Sequence, residues 1–218
     1  MDNLVTLDGN SPSIQYLVKK DKRLARVIDT VGPISYTPHY GNGYDFLVHE
    51  IIEQMLSVKA GKKIYDRLAL RCENSITPEN ISKLTDEEIR STGTSSAKVS
   101  YIRNITNAVL DGSLSFNALE NAPDDEVIIK LISFRGIGTW TAKMYLIFVL
   151  NRPDVLPYED GAFLQSYRWL YKTTDCKPAS IIKRCKKWKP YSSIAARYLY
   201  RVLDLGMTKA EFHLFKED

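Results

Sequence analysis

The segment FRGIGTWTA at residues 134–142 constrains this chain more than any other. It sets Gly136 and Gly138 one residue apart between two apolar, helix-like runs, Ile128, Ile129, Leu131 and Ile132 before it and KMYLIFVL (143–150) after it. Glycine inside a helix costs about 1 kcal/mol relative to alanine, so the pair reads as a tight turn joining two helices. Glycine also admits left-handed backbone and the close approach of a large group. Ile137, between the two, can turn inward and anchor the hairpin. The exposed amides, with the first turn of the following helix and the positive end of its dipole, suit a phosphate. A plain helix–helix turn accounts for the same spacing. Two other glycine loops do not fit: the P-loop pattern G-x-x-x-x-G-K-[ST] is absent, and a dinucleotide fingerprint needs a third glycine where Thr141 stands.

Helical periodicity dominates the remainder. Phe46, Leu47, Ile51, Ile52, Met55 and Leu56 recur at helix spacing, as do Ile194, Ala195, Tyr198, Leu199, Val202 and Leu203, a run that stops at Gly206. Thr77-Pro78 predicts a helix start, and Thr85-x-x-Glu88 and Thr208-x-x-Glu211 predict capping boxes. No stretch sustains period-two alternation, and TVGPISYTPHYGNGY (30–44) reads as a connector. A second break falls at NRPDVLPYEDGA (151–162), where Pro153 and Pro157 forbid a continuous helix. The expected fold class is all-α: helical bundles joined through these breaks, with a cleft between two lobes.

Composition bounds the setting. No apolar run reaches the roughly 18 residues of a membrane span, the start MDNLVTLDGN lacks a secretory pattern, and three scattered cysteines offer no metal-ligand spacing. The expectation is an intracellular protein (cytoplasm or nucleoid) that does not engage a membrane. The overall charge is +4, yet the segment from Gln165 to Arg201 carries ten basic residues against Asp175 alone, a net +9 with −5 elsewhere. That asymmetry suits a polyanion such as nucleic acid. Some of these lysines also fit the solvated side of a helix whose core face is Ile181, Ile182, Cys185 and Trp188.

LISFRGIGTWTAKMYLIF followed by DVLPYEDGAF resembles the helix–hairpin–helix (HhH-GPD) DNA glycosylase superfamily, with its Gly/Pro-rich loop and aspartate. The tryptophan after the hairpin, EQMLSVKA at 53–60 and WKPYSSIAA at 188–196 are similar to its alkylation-repair branch, 3-methyladenine DNA glycosylase II. The similarity runs from about Asp21 to about Gly206. It implies a two-lobed helical fold with the active site in the cleft. Residues 1–34 would pack with the C-terminal lobe, 35–152 would form the helical domain holding the helix–hairpin–helix at about 127–150, and 153–218 would form the basic lobe. It implies a monomer acting on double-stranded DNA with a damaged base and needing no cofactor. A potassium or sodium ion on the hairpin carbonyls is usual in the family. The four-cysteine iron–sulfur cluster of some relatives is excluded on ligand count.

Individual residues follow from that resemblance. Asp160 stands at the position of the catalytic aspartate, where a carboxylate beneath the deoxyribose stabilises an oxocarbenium-like state and orients the attacking water. It also fits as the N-cap of a helix starting at Gly161. Trp140 occupies the place where relatives that cut the backbone carry a lysine nucleophile. An indole forms no Schiff base, so the residue points to a water-using, monofunctional enzyme with an aromatic base pocket. Electron-poor alkylated purines are attracted to such faces after leaving the duplex. Tyr191 and Met144 are further pocket candidates, and Tyr191 fits core packing equally. Arg135, Gly136, Ile137, Gly138 and Thr141 form the DNA-binding hairpin, with Arg135 where proline is common. Met55 matches the wedge that fills the gap left by a flipped nucleotide, and fits equally the apolar stripe of its helix. Gln54, Ser95, Ser96 and Lys98 are expected beside the duplex. The expected activity is hydrolysis of the N-glycosidic bond of 3-methyladenine- or 7-methylguanine-type bases. A non-catalytic hairpin DNA-binding module and a glycosylase for deaminated or oxidised bases stand as alternatives.

Overall fold

The computed structural model describes residues 4–214. In chain order the elements are β1 (Val5–Leu7), α1 (Pro12–Lys20), α2 (Lys22–Val31), β2 (Ile34–Tyr36), α3 (Gly43–Glu53), α4 (Val58–Arg71), α5 (Pro78–Lys83), α6 (Asp86–Ser91), α7 (Ser96–Leu110), α8 (Phe116–Asn121), α9 (Asp124–Ile132), α10 (Thr139–Met144), α11 (Gly161–Tyr171), α12 (Pro178–Cys185) and α13 (Ser192–Asp204). A π-helical turn, Tyr145–Val149, extends α10, and 3₁₀ turns lie at Lys186–Trp188 and Met207–Lys209. The chain divides into two compact units, one built from its two ends (up to Pro38 and from Asn151) and one from His39–Leu150.

The fold is mostly helical, with one departure from the all-α expectation. β1 and β2 pair antiparallel, Val5 opposite Tyr36 and Leu7 opposite Ile34. Strands of three residues are too short to show alternation, so the connector reading missed β2. Thr208 and Glu211 form no capping box, because a 3₁₀ turn occupies 207–209 and no α-helix follows it among the described residues. The other start and stop signals act as local chemistry requires. Thr77 caps α5 with Pro78 in its first turn, Thr85 and Glu88 form a reciprocal capping box, and α13 ends before Gly206 at φ 69°.

In the unit built from the chain ends, α2 presents Leu24, Val27 and Ile28 at helix spacing, and α11 and α13 cover them with Phe163, Leu170, Tyr198 and Leu199. One buried carboxylate ties these segments together. Asp21, 2% exposed, caps α2 by accepting from the amides of Arg23 (3.0 Å) and Leu24 (3.3 Å). Its other oxygen accepts from the Tyr171 hydroxyl, from Trp188 Nε1 (2.9 Å) and from the Lys187 ammonium (3.0 Å). Burial alone would raise the carboxyl's pKa, but these three donors hold it below the usual value. Trp188, Ile181 and Cys185 are buried on the core face of α12 and the turn after it; Ile182, expected there, is 47% exposed instead.

In the unit 39–150, α3 buries Leu47, Val48, Ile51 and Ile52 and packs on α4 and α7. α9 and α10 are the two arms of the hairpin. Gly136 sits at φ 98°, and a Cβ built on it would fall 2.3 Å from Cγ of Tyr101 on α7. The glycine is therefore doubly required, for left-handed backbone and for contact with that ring. Ile137 is buried, and its amide donates to Phe134 O at 3.0 Å. Gly138, at φ −98°, is the N-cap of α10 and has open space around its α-carbon.

Asp21→Ala should cost about 2–4 kcal/mol in urea unfolding, since it removes the N-cap of α2 and leaves the buried Trp188 indole without its acceptor. Because the folded pKa lies below the unfolded 3.8, the carboxylate's contribution is complete above that value and lost as pH falls through the folded value. The stability advantage of wild type over Asp21→Asn should therefore hold down to about pH 4 and shrink from there to about pH 2. At the hairpin, Gly136→Ala should cost roughly 1–3 kcal/mol in backbone strain and a similar amount in overpacking. Gly138→Ala, with an ordinary φ and free space, should stay within about 1 kcal/mol of wild type.

Candidate functional site

The hairpin presents a graded surface. Ile137 and Thr141 are buried, Gly138 and Arg135 are exposed, and Trp140, the second residue of α10, is half-buried. α10 and the π-turn after it carry an uninterrupted helical backbone from Thr139 to Val149, so the exposed amides at Gly138–Trp140 lie at its positive end. The Arg135 guanidinium lies over the Tyr101 ring, 5.9 Å from its centroid, which holds the charge at the turn's surface. Met144 is buried at the end of α10. Among the hairpin carbonyls, Phe134 O accepts from the Ile137 amide, Gly136 O from the Gln54 side chain and Gly138 O from the Ala142 amide. No group of three or more His, Cys, Asp or Glu with metal-site geometry exists among the described residues.

Residues 53–60 take a form the periodicity did not foresee. The apolar spacing runs on through Met55 and Leu56, but α3 stops at Glu53. Gln54 turns to φ −49°, ψ 129°, and Met55 takes the left-handed φ of 60°. Met55 is 101% exposed, at the tip of a short link to α4, with Leu56 and Val58 also exposed. Packing in the helix stripe is thus not its role. A fully exposed methionine on left-handed backbone carries a cost in strain and in solvation, which a structural role would not require. Ser57 closes the link by capping α4.

The side chains expected beside the duplex are placed around this link and the hairpin. Gln54 Nε2 donates to Gly136 O at 2.8 Å, joining link to hairpin. The Lys98 ammonium donates to Ile52 O (2.8 Å) and Gln54 O (2.7 Å), and burial lowers its pKa. Ser95 caps α7 by accepting from the Lys98 amide, and Ser96 is exposed in its first turn.

Asp160 belongs to the other unit and is 8% exposed. Its amide donates to Pro157 O (3.0 Å), and its Oδ1 accepts from the Phe163 amide at 2.7 Å, so it is the N-cap of α11. The loop leading to it is stitched to the start of α13. Asp154 accepts from the amide (3.2 Å) and hydroxyl (2.5 Å) of Ser192, and Ser193 Oγ accepts from Val155 N (2.8 Å). The SS pair of WKPYSSIAA therefore supports the aspartate loop, a function the motif alone did not disclose. Tyr191, just before it, is half-buried with its ring edge-on to Tyr16 at 5.5 Å. Of the basic residues in 165–201, Lys187, Lys189 and Lys172 pair with Asp21, Asp154 and Glu211, while Lys183 and Lys186 are exposed. The +9 charge is thus partly internal.

Comparison with known proteins places this geometry. The model of the HhH-GPD superfamily of base excision DNA repair proteins matches residues 48–190. DNA-3-methyladenine glycosylase 1 of Schizosaccharomyces pombe is 30% identical over 194 residues, covering 85% of this chain and 84% of its own. Among solved structures, the DNA-3-methyladenine glycosidase of Bacillus halodurans superimposes with TM-score 0.85 at 34% identity, over 96% of this chain and 97% of that one. The S. pombe 3-methyladenine DNA glycosylase Mag1 in complex with abasic DNA does so with TM-score 0.81 at 28% identity, over 89% and 97%. With a glycine hairpin, a capped aspartate and this extent of similarity, the chain belongs to the HhH-GPD superfamily of base excision DNA repair proteins.

Proposed function

We propose that this protein is a monofunctional DNA glycosylase that hydrolyses the N-glycosidic bond of alkylated purines in double-stranded DNA and leaves an abasic site. The observation that carries the reading is the capped carboxylate of Asp160, in a chain similar along most of its length to DNA-3-methyladenine glycosylases. A relative held on abasic DNA supports the product class. The protein acts as a monomer, inside the cell.

The assignment of residues follows from chemistry. The hairpin amides at Gly138–Trp140, with Arg135 beside them, bind a strand phosphate. Met55 enters the base stack and occupies the space left by the flipped nucleotide; its exposure and left-handed backbone support this. Trp140, half-buried at the start of α10, offers an aromatic face to the extruded base.

As the C1′–N bond lengthens, its electron pair leaves with the base and positive charge grows on the sugar. An N-alkylated purine, cationic before cleavage, departs neutral, so the enzyme needs little acid assistance. Asp160 stabilises the cationic sugar and accepts the proton of the water that attacks C1′. Its bond to the Phe163 amide fixes the carboxylate before substrate arrives, so little reorganisation accompanies the reaction. No lysine stands at Trp140, so the sugar is not trapped as a Schiff base and the strand remains uncut.

Asp160→Asn tests this reading cleanly, because asparagine is as good an N-cap as aspartate. Base release from methylated duplex should fall by about 10²–10⁴-fold. Thermal stability and duplex binding should stay near wild type. Wild-type binding without release from methylated or hypoxanthine-containing duplexes would favour a non-catalytic module, and release of hypoxanthine alone would favour a deaminated-base enzyme.

A further inference from the structure

Lys98 was expected to touch the duplex, yet its side chain faces inward. It rises from the first turn of α7 and donates to Ile52 O at 2.8 Å and to Gln54 O at 2.7 Å. These carbonyls lie at the end of α3, where the helix leaves its last acceptors without backbone partners. A cation placed there satisfies two of them and complements the negative end of the helix dipole. The residue immediately after Gln54 is Met55, the strained and fully exposed tip.

A second contact reaches the same place. The Gln54 side chain donates to Gly136 O at 2.8 Å, and Gly136 rests on the ring of Tyr101, one turn beyond Lys98 on α7. The first two turns of α7 thus carry both the Met55 link, through Lys98, and the hairpin, through Tyr101. Gln54 closes the triangle. Without Lys98, the carbonyls of Ile52 and Gln54 would turn toward water and the left-handed turn at Met55 would lose its support.

We infer that Lys98 is a positioning residue for the Met55 wedge: its ammonium clamps the end of α3 so that Met55 is held in its strained, outward conformation at a fixed distance from the hairpin before DNA is bound. This rests on the proposed role of Met55. A phosphate-binding role for Lys98 is the competing account, and the two differ in how binding responds to salt.

The test follows base flipping with 2-aminopurine opposite or beside a non-cleavable lesion analogue, alongside single-turnover base release, in wild type, Lys98→Met, Lys98→Arg and Met55→Ala. Lys98→Met should reduce both flipping and release by between about ten- and about a hundred-fold, as expected for a displaced working group. The dependence of duplex affinity on salt should be unchanged. Lys98→Arg, which keeps donors for both carbonyls, should recover most of the loss and also guards against a merely unfolded variant. A Lys98→Met protein whose log affinity against log salt is shallower by about 0.9 would identify a lost phosphate contact and overturn the inference. Unchanged flipping in Lys98→Met with impaired flipping in Met55→Ala would also overturn it while leaving the wedge intact. Normal flipping in Met55→Ala would instead remove the wedge reading on which it stands.

Discussion

The unit formed by the chain ends depends on one buried carboxylate. Asp21 lies 150 residues from Tyr171 and 167 from Trp188, and it accepts hydrogen bonds from both as well as from Lys187. Without it, the Trp188 indole and the Tyr171 hydroxyl would lose their acceptor beside a core of Leu24, Phe163 and Leu170. Its consequence for chemistry runs along α11. Tyr171 closes the C-terminal end of that helix, and Asp160 caps the other end, about 16 Å away. One aspartate fixes the helix, and the helix fixes the second aspartate. The stitching of residues 153–155 to Ser192 and Ser193 completes the support, so the Asp160 carboxylate is oriented by packing rather than by a flexible loop.

The unit from His39 to Leu150 follows a related logic with different chemistry. Its two exposed devices, the glycine hairpin and the Met55 link, both use left-handed backbone, at φ 98° and φ 60°. Glycine adopts it readily, whereas at Met55 it persists only because its surroundings hold it. α7 supplies those surroundings, with the Tyr101 ring under one and the Lys98 ammonium under the other. A surface proposed to enter a base stack and grip a strand benefits from this rigidity, because ordering it on binding would subtract from affinity.

Sequence reading recovered features whose cause is local. Thr77, Thr85 with Glu88, and Asp160 cap helices because a side-chain oxygen three residues before an amide needs no tertiary partner. The Gly136–Gly138 turn was legible because few other structures tolerate two glycines between apolar runs. What escaped was set by distance. Nothing near Asp21 in the chain announces Tyr171 or Trp188, and β1 finds β2 only across two helices. Periodicity misled at Met55, since apolar residues continue at helix spacing past the point where Gln54 turns the chain. It misled again at Ile182, which shares the spacing of Ile181 but faces solvent. The resemblance sets Lys98 beside the duplex, but the direction of its side chain, toward Ile52 O and Gln54 O, is not visible in sequence.

In the proposed reaction the Asp160 carboxylate meets positive charge developing on the sugar. The most direct measurement is the affinity for duplexes carrying a cationic pyrrolidine in place of the damaged nucleoside, relative to duplexes carrying the neutral tetrahydrofuran analogue. Wild type should favour the cation by at least about a hundred-fold, as transition-state mimics allow, and Asp160→Asn should lose nearly all of that preference. An equal preference in both proteins, or none in wild type, would contradict the account.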